Sequence, residues 1–291
     1  MNEQKEHSSE SLRPVWTSRA KSQELLASVN EAIDVLKSLG AHPRPNGSLM
    51  SIFSSVRKLA EKSDQLSDER WEEYFEKATE ARRIVMAILA AADDPNSRRN
   101  FAAIVSSDMN AKATVSSEGR NLLWELDLYR RIKIGGAGVY IGEPDLVLSL
   151  GEDQQEYSIA CKKTHVESGV DGALRDGACQ IKKQGRPGII AFNLDTLAAR
   201  RQWNFADEED LGKALRRFND VFIDRHKQTF MNFAGREQCD GVLISTSVYA
   251  KVFSSNLPRK HCSAMAILPL SSESKGLNRL ESLRRIVDQI R

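Results

Sequence analysis

The sequence predicts an α/β protein with a mixed central sheet, preceded by an all-helical N-terminal region. Up to about residue 115 the apolar residues recur at helical spacing, whereas beyond it short β-branched and aromatic runs alternate with amphipathic helical stretches. A chain of 291 residues has room for one full α/β core and a smaller helical unit. The expected division is a helical region over 1–115 and an α/β domain over 116–291.

Each element has its own signal. Leu25, Val29, Ile33, Leu36 and Leu39 form a helical stripe that ends at Gly40, and the Pro- and Gly-rich stretch 41–47 breaks the chain. A second helix carries Ile52, Phe53, Val56 and Leu59 on one side. A third runs from about Asp68 to Ala92 with Trp71, Phe75, Ala78, Val85 and Leu89 inward, and stops at Asp93-Asp94-Pro95. A shorter fourth includes Phe101, Ile104 and Val105. Packing, dimerisation and docking of a protein partner are all open as roles for these helices. After a linker at Ala111 to Ser116, the expected order is helix 118–132, strands 139–150 and 156–162, helix 171–184, strand 188–194, helix 208–233, strands 241–246 and 264–268, and helix 275–290.

Composition narrows the class. With 41% hydrophobic and 28% charged residues the chain is an ordinary globular one, not a disordered one. A formal charge of +2 permits nucleic-acid binding without demanding it, because local clusters matter more than the total. No apolar run approaches the ~18–20 residues of a membrane-spanning helix, and Met1 to Glu10 lacks the apolar core of a secretory signal. A cytoplasmic protein without a membrane partner is expected. Cys161, Cys179, Cys239 and Cys262 form no CxxC or Cys/His cluster, so reduced thiols are expected rather than a zinc site or a disulfide framework.

The most informative stretch is Glu143-Pro144-Asp145-Leu146-Val147-Leu148, followed after the polar turn Gly151–Glu156 by Tyr157-Ser158-Ile159-Ala160-Cys161-Lys162-Lys163. On alternating strands Glu143, Asp145 and Val147 share one face, and Ser158, Ala160 and Lys162 share one face of the next. A carboxylate and an ammonium facing each other near a sheet end can hold a divalent metal and steady a phosphate. These residues resemble the PD-(D/E)xK phosphodiesterase superfamily, the restriction-endonuclease-like nucleases. Pro144-Asp145 matches the first half of the motif and Ala160-Cys161-Lys162 the second, with Ala160 where the family has an acid. The resemblance spans roughly 117–195 and implies an αβββαβ core, Mg²⁺ or Mn²⁺ as cofactor, and hydrolysis of DNA in a defence or repair setting, RNA not being excluded.

It also implies roles. Asp145 would ligate the metal, Lys162 would meet the scissile phosphate or attacking water, and the main-chain carbonyl of Cys161 could add an oxygen. Glu125 stands out by itself, because it lies between Leu122 and Tyr129 on the apolar side of the helix that also carries Leu126 and Ile132. A carboxylate entering a core needs a partner, either the metal, as the resemblance implies, or a salt bridge to Arg120 or Lys133. Gln180 borders the small-residue face Ala173, Leu174, Gly177, Ala178 and Ile181, and some branches of the family use such a Gln to position water or phosphate. Arg175, Lys182, Lys183 and Arg186 project from the other side of that segment and, with Lys163, are candidates for nucleic-acid contact or simply a solvated face.

Three accounts of Ala160 stand open. The site keeps activity through Glu125 or Glu143, the chain is a nucleic-acid-binding or assembly relative, or the alanine was introduced to inactivate it. Other features carry less. Gly135-Gly136-Ala137-Gly138 reads as a turn, since no Lys-Ser/Thr pair or helix follows. His226 is in register with Phe222 and Phe230 as a core histidine, and His165 lies in the loop after Lys163.

Overall fold

The computed structural model describes residues 19–62, 66–109, 117–150, 155–233, 239–255 and 259–288. The N-terminal segment Met1–Glu10, the linker 111–116 and residues 151–154 of the expected turn lie outside the described residues.

Four helices come first: α1 (Arg19–Ser38), α2 (Ser48–Lys62), α3 (Asp68–Ala91) and α4 (Ser97–Ser106). Helix α1 ends as its sequence requires. Gly40 has φ +80°, a conformation without penalty only for glycine, and the N–H groups of Gly40 and Ala41 close back onto the carbonyls of Lys37 and Leu36. Next come α5 (Glu118–Ile134), β1 (Val139–Ile141), β2 (Leu146–Leu150), β3 (Gln155–Lys163), α6 (Val170–Gln184) and β4 (Gly188–Asn193). The chain continues through α7 (Asp195–Ala198), β5 (Asn204–Phe205), α8 (Glu208–Met231), β6 (Cys239–Val252), β7 (Lys260–Pro269) and α9 (Ser274–Asp288). Ser117 caps α5 by accepting from the Arg120 N–H at 3.2 Å, and Asp207 caps α8 by accepting from the Asp210 N–H at 2.9 Å.

These strands make one mixed seven-stranded sheet, ordered β1-β2-β3-β4-β6-β5 with β7 also on β6. β1, β2 and β3 form an antiparallel meander, β3, β4 and β6 run parallel, and β7 returns antiparallel to β6. Every residue of β4 is buried, because helices cover both faces of the parallel part. On one face Leu146, Leu148, Tyr157 and Ile159 join a single core with Leu36, Phe53, Ile84, Phe101 and Leu126 from the helices. On the other, Ala160, Ile190, Phe192 and Ile244 pack with Leu174, Ile181, Phe222 and Phe230 of α6 and α8. Gly177 lets α6 come close, since a Cβ there would stand 3.0 Å from the Ile190 side chain.

The N-terminal helices also finish the sheet edge. β1 is an edge strand, and its Ile141 N–H donates to Asp94 at 2.8 Å while its carbonyl accepts from the Asn96 side chain at 2.6 Å. Among the described residues no helix is long and apolar enough to cross a membrane.

The expected elements differ from these in four places. The stretch 139–150 is two strands, because Gly142–Asp145 forms the turn between β1 and β2, with a cis Glu143-Pro144 peptide. Gln155 and Glu156 belong to β3 rather than to a turn. β6 runs to Val252 and not to 246, since its second half finds partners of its own in β5 and β7. The short α7 and β5 have too few residues to show a period in sequence.

Candidate active site

The antiparallel register of β2 and β3, with Leu146 opposite Ile159, brings the residue before β2 and the end of β3 to one edge of the sheet. Continued by one residue, that register sets Asp145 level with Ala160, and the Asp145 Oδ2 accepts from the neighbouring Cys161 N–H at 2.6 Å. In an extended strand a residue's N–H and C=O point the same way, so the Cys161 carbonyl also faces Asp145. The Cys161 thiol is buried and turned into the core beneath the helices, and burial pushes its pKa well up, so only the main chain of Cys161 is available.

Lys162 points to the opposite face, where its Nζ donates to Gln180 Oε1 on α6 at 2.5 Å. The two candidates that the sequence placed on separate elements thus form one pair. Glu125 approaches from α5. Its carboxyl is pushed up to about 8, mainly by burial and then by the Asp145 charge, with Lys162 and Arg99 pulling the other way. Asp145 is raised to about 6, again by burial first, against the Cys161 N–H and Lys162. Among the described residues Glu125 makes no ion pair, and Lys133 instead donates to the Ala90 carbonyl at 2.8 Å, so the salt-bridge alternative for Glu125 falls.

These two carboxyls, Glu125 raised by burial and the Asp145 charge and Asp145 raised by burial and the Glu143 charge, form a concentration of negative charge that the fold itself leaves underneutralised. Asp145 Oδ1, Glu125 and the Cys161 carbonyl offer three oxygens, and Mg²⁺ commonly takes one or two carboxylates and completes its shell with water. The residues present fit such an ion. They do so with few ligands, for among the described residues no three His, Cys, Asp or Glu side chains gather to hold a metal.

Several expectations are corrected. Glu143 does not share a strand face with Asp145, because it sits exposed in the turn before β2, and its carbonyl accepts from Arg186. Arg186 is consequently not a free surface cation. It clasps Ser158 at 2.7 Å and Glu156 at 3.3 Å and ties the end of α6 to the β2–β3 corner. Arg175 pairs with Asp171 at 2.6 Å on the exposed side of α6, while Lys182 and Lys183 are exposed there. Lys163 does not join them. Strand alternation turns it to the helical side, where burial pushes its pKa down to about 8 against the pull of Asp195, with Arg120 and Arg83 adding to the fall. Ala160 is fully buried in the apolar cluster under α6 and α8, and its methyl side chain offers no oxygen beside Asp145. His226 is half-buried against Phe222, with ring centroids 4.6 Å apart, and the backbone oxygen of His165 accepts from Arg200 at 2.9 Å.

Beside the site lies an ionic cluster that the sequence did not announce. Asp127, buried two residues after Glu125, meets Arg131 and Arg130 at 3.0 Å and Arg83 of α3 at 3.6 Å. Burial opposes its ionisation, but the guanidinium groups outweigh that and hold the carboxyl well below its usual range. Arg83 continues to Asp195 at 3.4 Å, and Asp195 accepts from the Ser247 N–H at 2.7 Å. Only the i+3 and i+4 spacing of Arg130 and Arg131 from Asp127 was available as a signal. No family model and no curated protein matches this chain. The chemistry at this edge therefore has to be argued from the residues.

Proposed function

We propose that the chain is a metal-dependent nuclease that hydrolyses DNA phosphodiester bonds, built on a restriction-endonuclease-like core and acting in the cytoplasm in defence or repair. The observation that carries this reading is the convergence of Asp145, Glu125 and the Lys162–Gln180 pair, from four different elements, on one sheet edge. The succession α5-β1-β2-β3-α6-β4 supports it, being the αβββαβ order of the PD-(D/E)xK nucleases.

Mg²⁺ or Mn²⁺, when bound, would lower the pKa of a water and neutralise charge developing on the phosphate. Asp145 and Glu125, with the Cys161 carbonyl, are the residues that would hold it. Asp145 keeps one oxygen fixed by the Cys161 N–H, which leaves the other aimed at the edge. Gln180 acts as a positioning residue, because its Oε1 anchors the Lys162 ammonium and its NH₂ stays available to a phosphate oxygen. Lys162 then supplies a preorganised positive charge where the pentavalent phosphate becomes more negative. No histidine base is required.

The test is cleavage of plasmid and linear DNA with Mg²⁺ or Mn²⁺ by this chain, by Asp145→Ala and by Ala160→Glu. Cutting that disappears in Asp145→Ala while the fold is retained is the expected result, and undiminished cutting by that variant would sink the assignment. A second reading, a nucleic-acid-binding module on a nuclease-like core, is favoured by the apolar burial of Ala160 and by the short ligand set. It predicts salt-dependent DNA binding that needs no metal, and no cutting by any of the three proteins.

A further inference from the structure

Many arginines of the described residues are engaged by carboxylates or carbonyls, but the guanidinium groups of Arg201 and Arg217, like those of Arg44, Arg57, Arg70, Arg99 and Arg216, have no ion pair or hydrogen bond. Both line one groove of about 300 Å³ between β5 and α8, together with Trp203, Phe205 and Phe218. Arg201 lies over the Phe218 ring, its guanidinium carbon 4.8 Å from the centroid, and the residue is exposed. Trp203 braces the platform from behind, edge-on to Phe218 at 5.8 Å, and its indole N–H is fixed on the Ala198 carbonyl at 2.9 Å. Two unused cations over a rigid aromatic floor call for a planar, anionic occupant.

The groove lies on the same sheet as the proposed site. Arg200, next to Arg201, reaches the carbonyl of His165, three residues after Lys162. Lys162 is level with Phe192 and Ile244, and Phe205 is level with Val252, eight residues farther along β6. With ~3.3 Å per strand residue along the sheet and ~4.8 Å for each of the three strand steps across it, the two lie roughly 30 Å apart, or about nine stacked nucleotides at ~3.4 Å each.

We propose that this groove holds an unpaired nucleotide of the nucleic acid, its base on the Arg201–Phe218 platform and its phosphate against Arg217. The nuclease reading supplies the ligand class on which this rests. A duplex would offer the arginines its backbone but would have no use for the platform, whereas single strands stack bases on aromatic rings and guanidinium planes. The residues lie outside the αβββαβ succession, on α7–β5 and α8.

Binding of a labelled 20-nucleotide DNA single strand, followed by fluorescence anisotropy in EDTA at several salt concentrations, tests this without any need for cleavage. Arg201→Ala/Arg217→Ala should weaken binding at least tenfold and flatten the slope of log affinity against log salt by about 0.7, the one phosphate contact of Arg217. Arg284→Ala, which removes an exposed arginine of α9, should change neither. Arg201→Lys should keep the salt slope and lose affinity, because lysine has charge but no plane. The proposal is overturned if the double variant binds within twofold of the parent, if the parent does not bind at low salt, or if Arg201→Lys binds like the parent. Equal losses on blunt duplex, or stronger competition by polyglutamate than by the oligonucleotide, would also overturn it. Failed binding leaves the Asp145→Ala cleavage test standing, and failed cleavage leaves this one standing.

Discussion

Glu125→Gln should inactivate the site and stabilise the metal-free protein. The carboxyl titrates near 8 in the fold against an ordinary 4.5, because it is desolvated and sits beside Asp145. A group raised on folding contributes stability that is fully present below its unfolded pKa and lost as pH rises through the folded value. Here the loss begins near pH 4.5 and is complete near 8. At ~1.36 kcal/mol per pH unit, the ceiling at pH 7 is about 3 kcal/mol. Part of the side chain is solvated, which reduces this to about 2 kcal/mol. Glutamine keeps the shape and cannot ionise, so the variant should gain that amount at pH 7 and nothing at pH 4.5. In a chain of this size the gain corresponds to a rise in Tm of roughly 4–8 °C. Thermal unfolding in EDTA at pH 4.5, 7 and 8.5 measures it. In the parent, Mg²⁺ should restore the lost stability at high pH and do little at low pH, and the variant should lack most of that response. A variant less stable than the parent at pH 8.5, or one whose advantage does not vary with pH, would refute the charge argument.

Three other substitutions probe the same neighbourhood. Asp127→Asn leaves Arg131 without its carboxylate and Arg83 with Asp195 alone, and should cost about 3–5 kcal/mol in urea unfolding, so a loss below ~1 kcal/mol would show that the cluster is solvated. His261 has its pKa pushed down to about 3 by burial, then by Arg83, Arg131 and Arg130, with only Asp127 opposing. Its contribution is full above about 6.5 and lost as pH falls towards 3, up to ~5 kcal/mol, and His261→Gln should flatten that acid limb; an unchanged slope contradicts the assignment. Arg186→Ala cuts three links between α6 and the β2–β3 corner and should cost about 1–2 kcal/mol, while also slowing any cleavage by loosening the loop that carries Asp145; a variant with parental stability would show that the clasp is idle.

The long elements were legible because their burial is one-sided. α1, α3 and α8 each show a helical stripe, and residues of those stripes such as Val29, Val85 and Leu215 are the ones buried. β4 was visible for the opposite reason, as an uninterrupted apolar run in a strand covered on both faces. Strand alternation misled only at Glu143, where a turn replaces the strand on which the inference depended. At the candidate site, Glu125 stood out as a carboxylate out of place on an apolar stripe, Asp145 and Lys162 through strand alternation and the resemblance, and Gln180 through the resemblance alone. Arg99, which lies near Glu125 from α4, and Arg186, which folds back over the corner, did not. Their side chains act across elements far apart in sequence, and nothing local distinguishes them from solvated arginines.

The helical region is part of the site's machinery in a physical sense, whatever the reaction. Asp127 is neutralised in part by Arg83 of α3, Arg99 of α4 offsets a small part of the upward shift of Glu125, and Glu80 of α3 accepts from the hydroxyl of Tyr249 on β6. The same helices bury the sheet face formed by Leu146, Leu148, Tyr157 and Ile159. A chain beginning at residue 116 would expose that apolar face, unpin Ile141 at the sheet edge and raise the Asp127 carboxyl towards its ordinary range. Several kcal/mol would be lost at once from a margin that for most domains is only ~5–15 kcal/mol. The α/β half is therefore expected to aggregate when expressed alone, and a soluble 116–291 fragment with the parental near-ultraviolet spectrum would show that the two cores are separable after all.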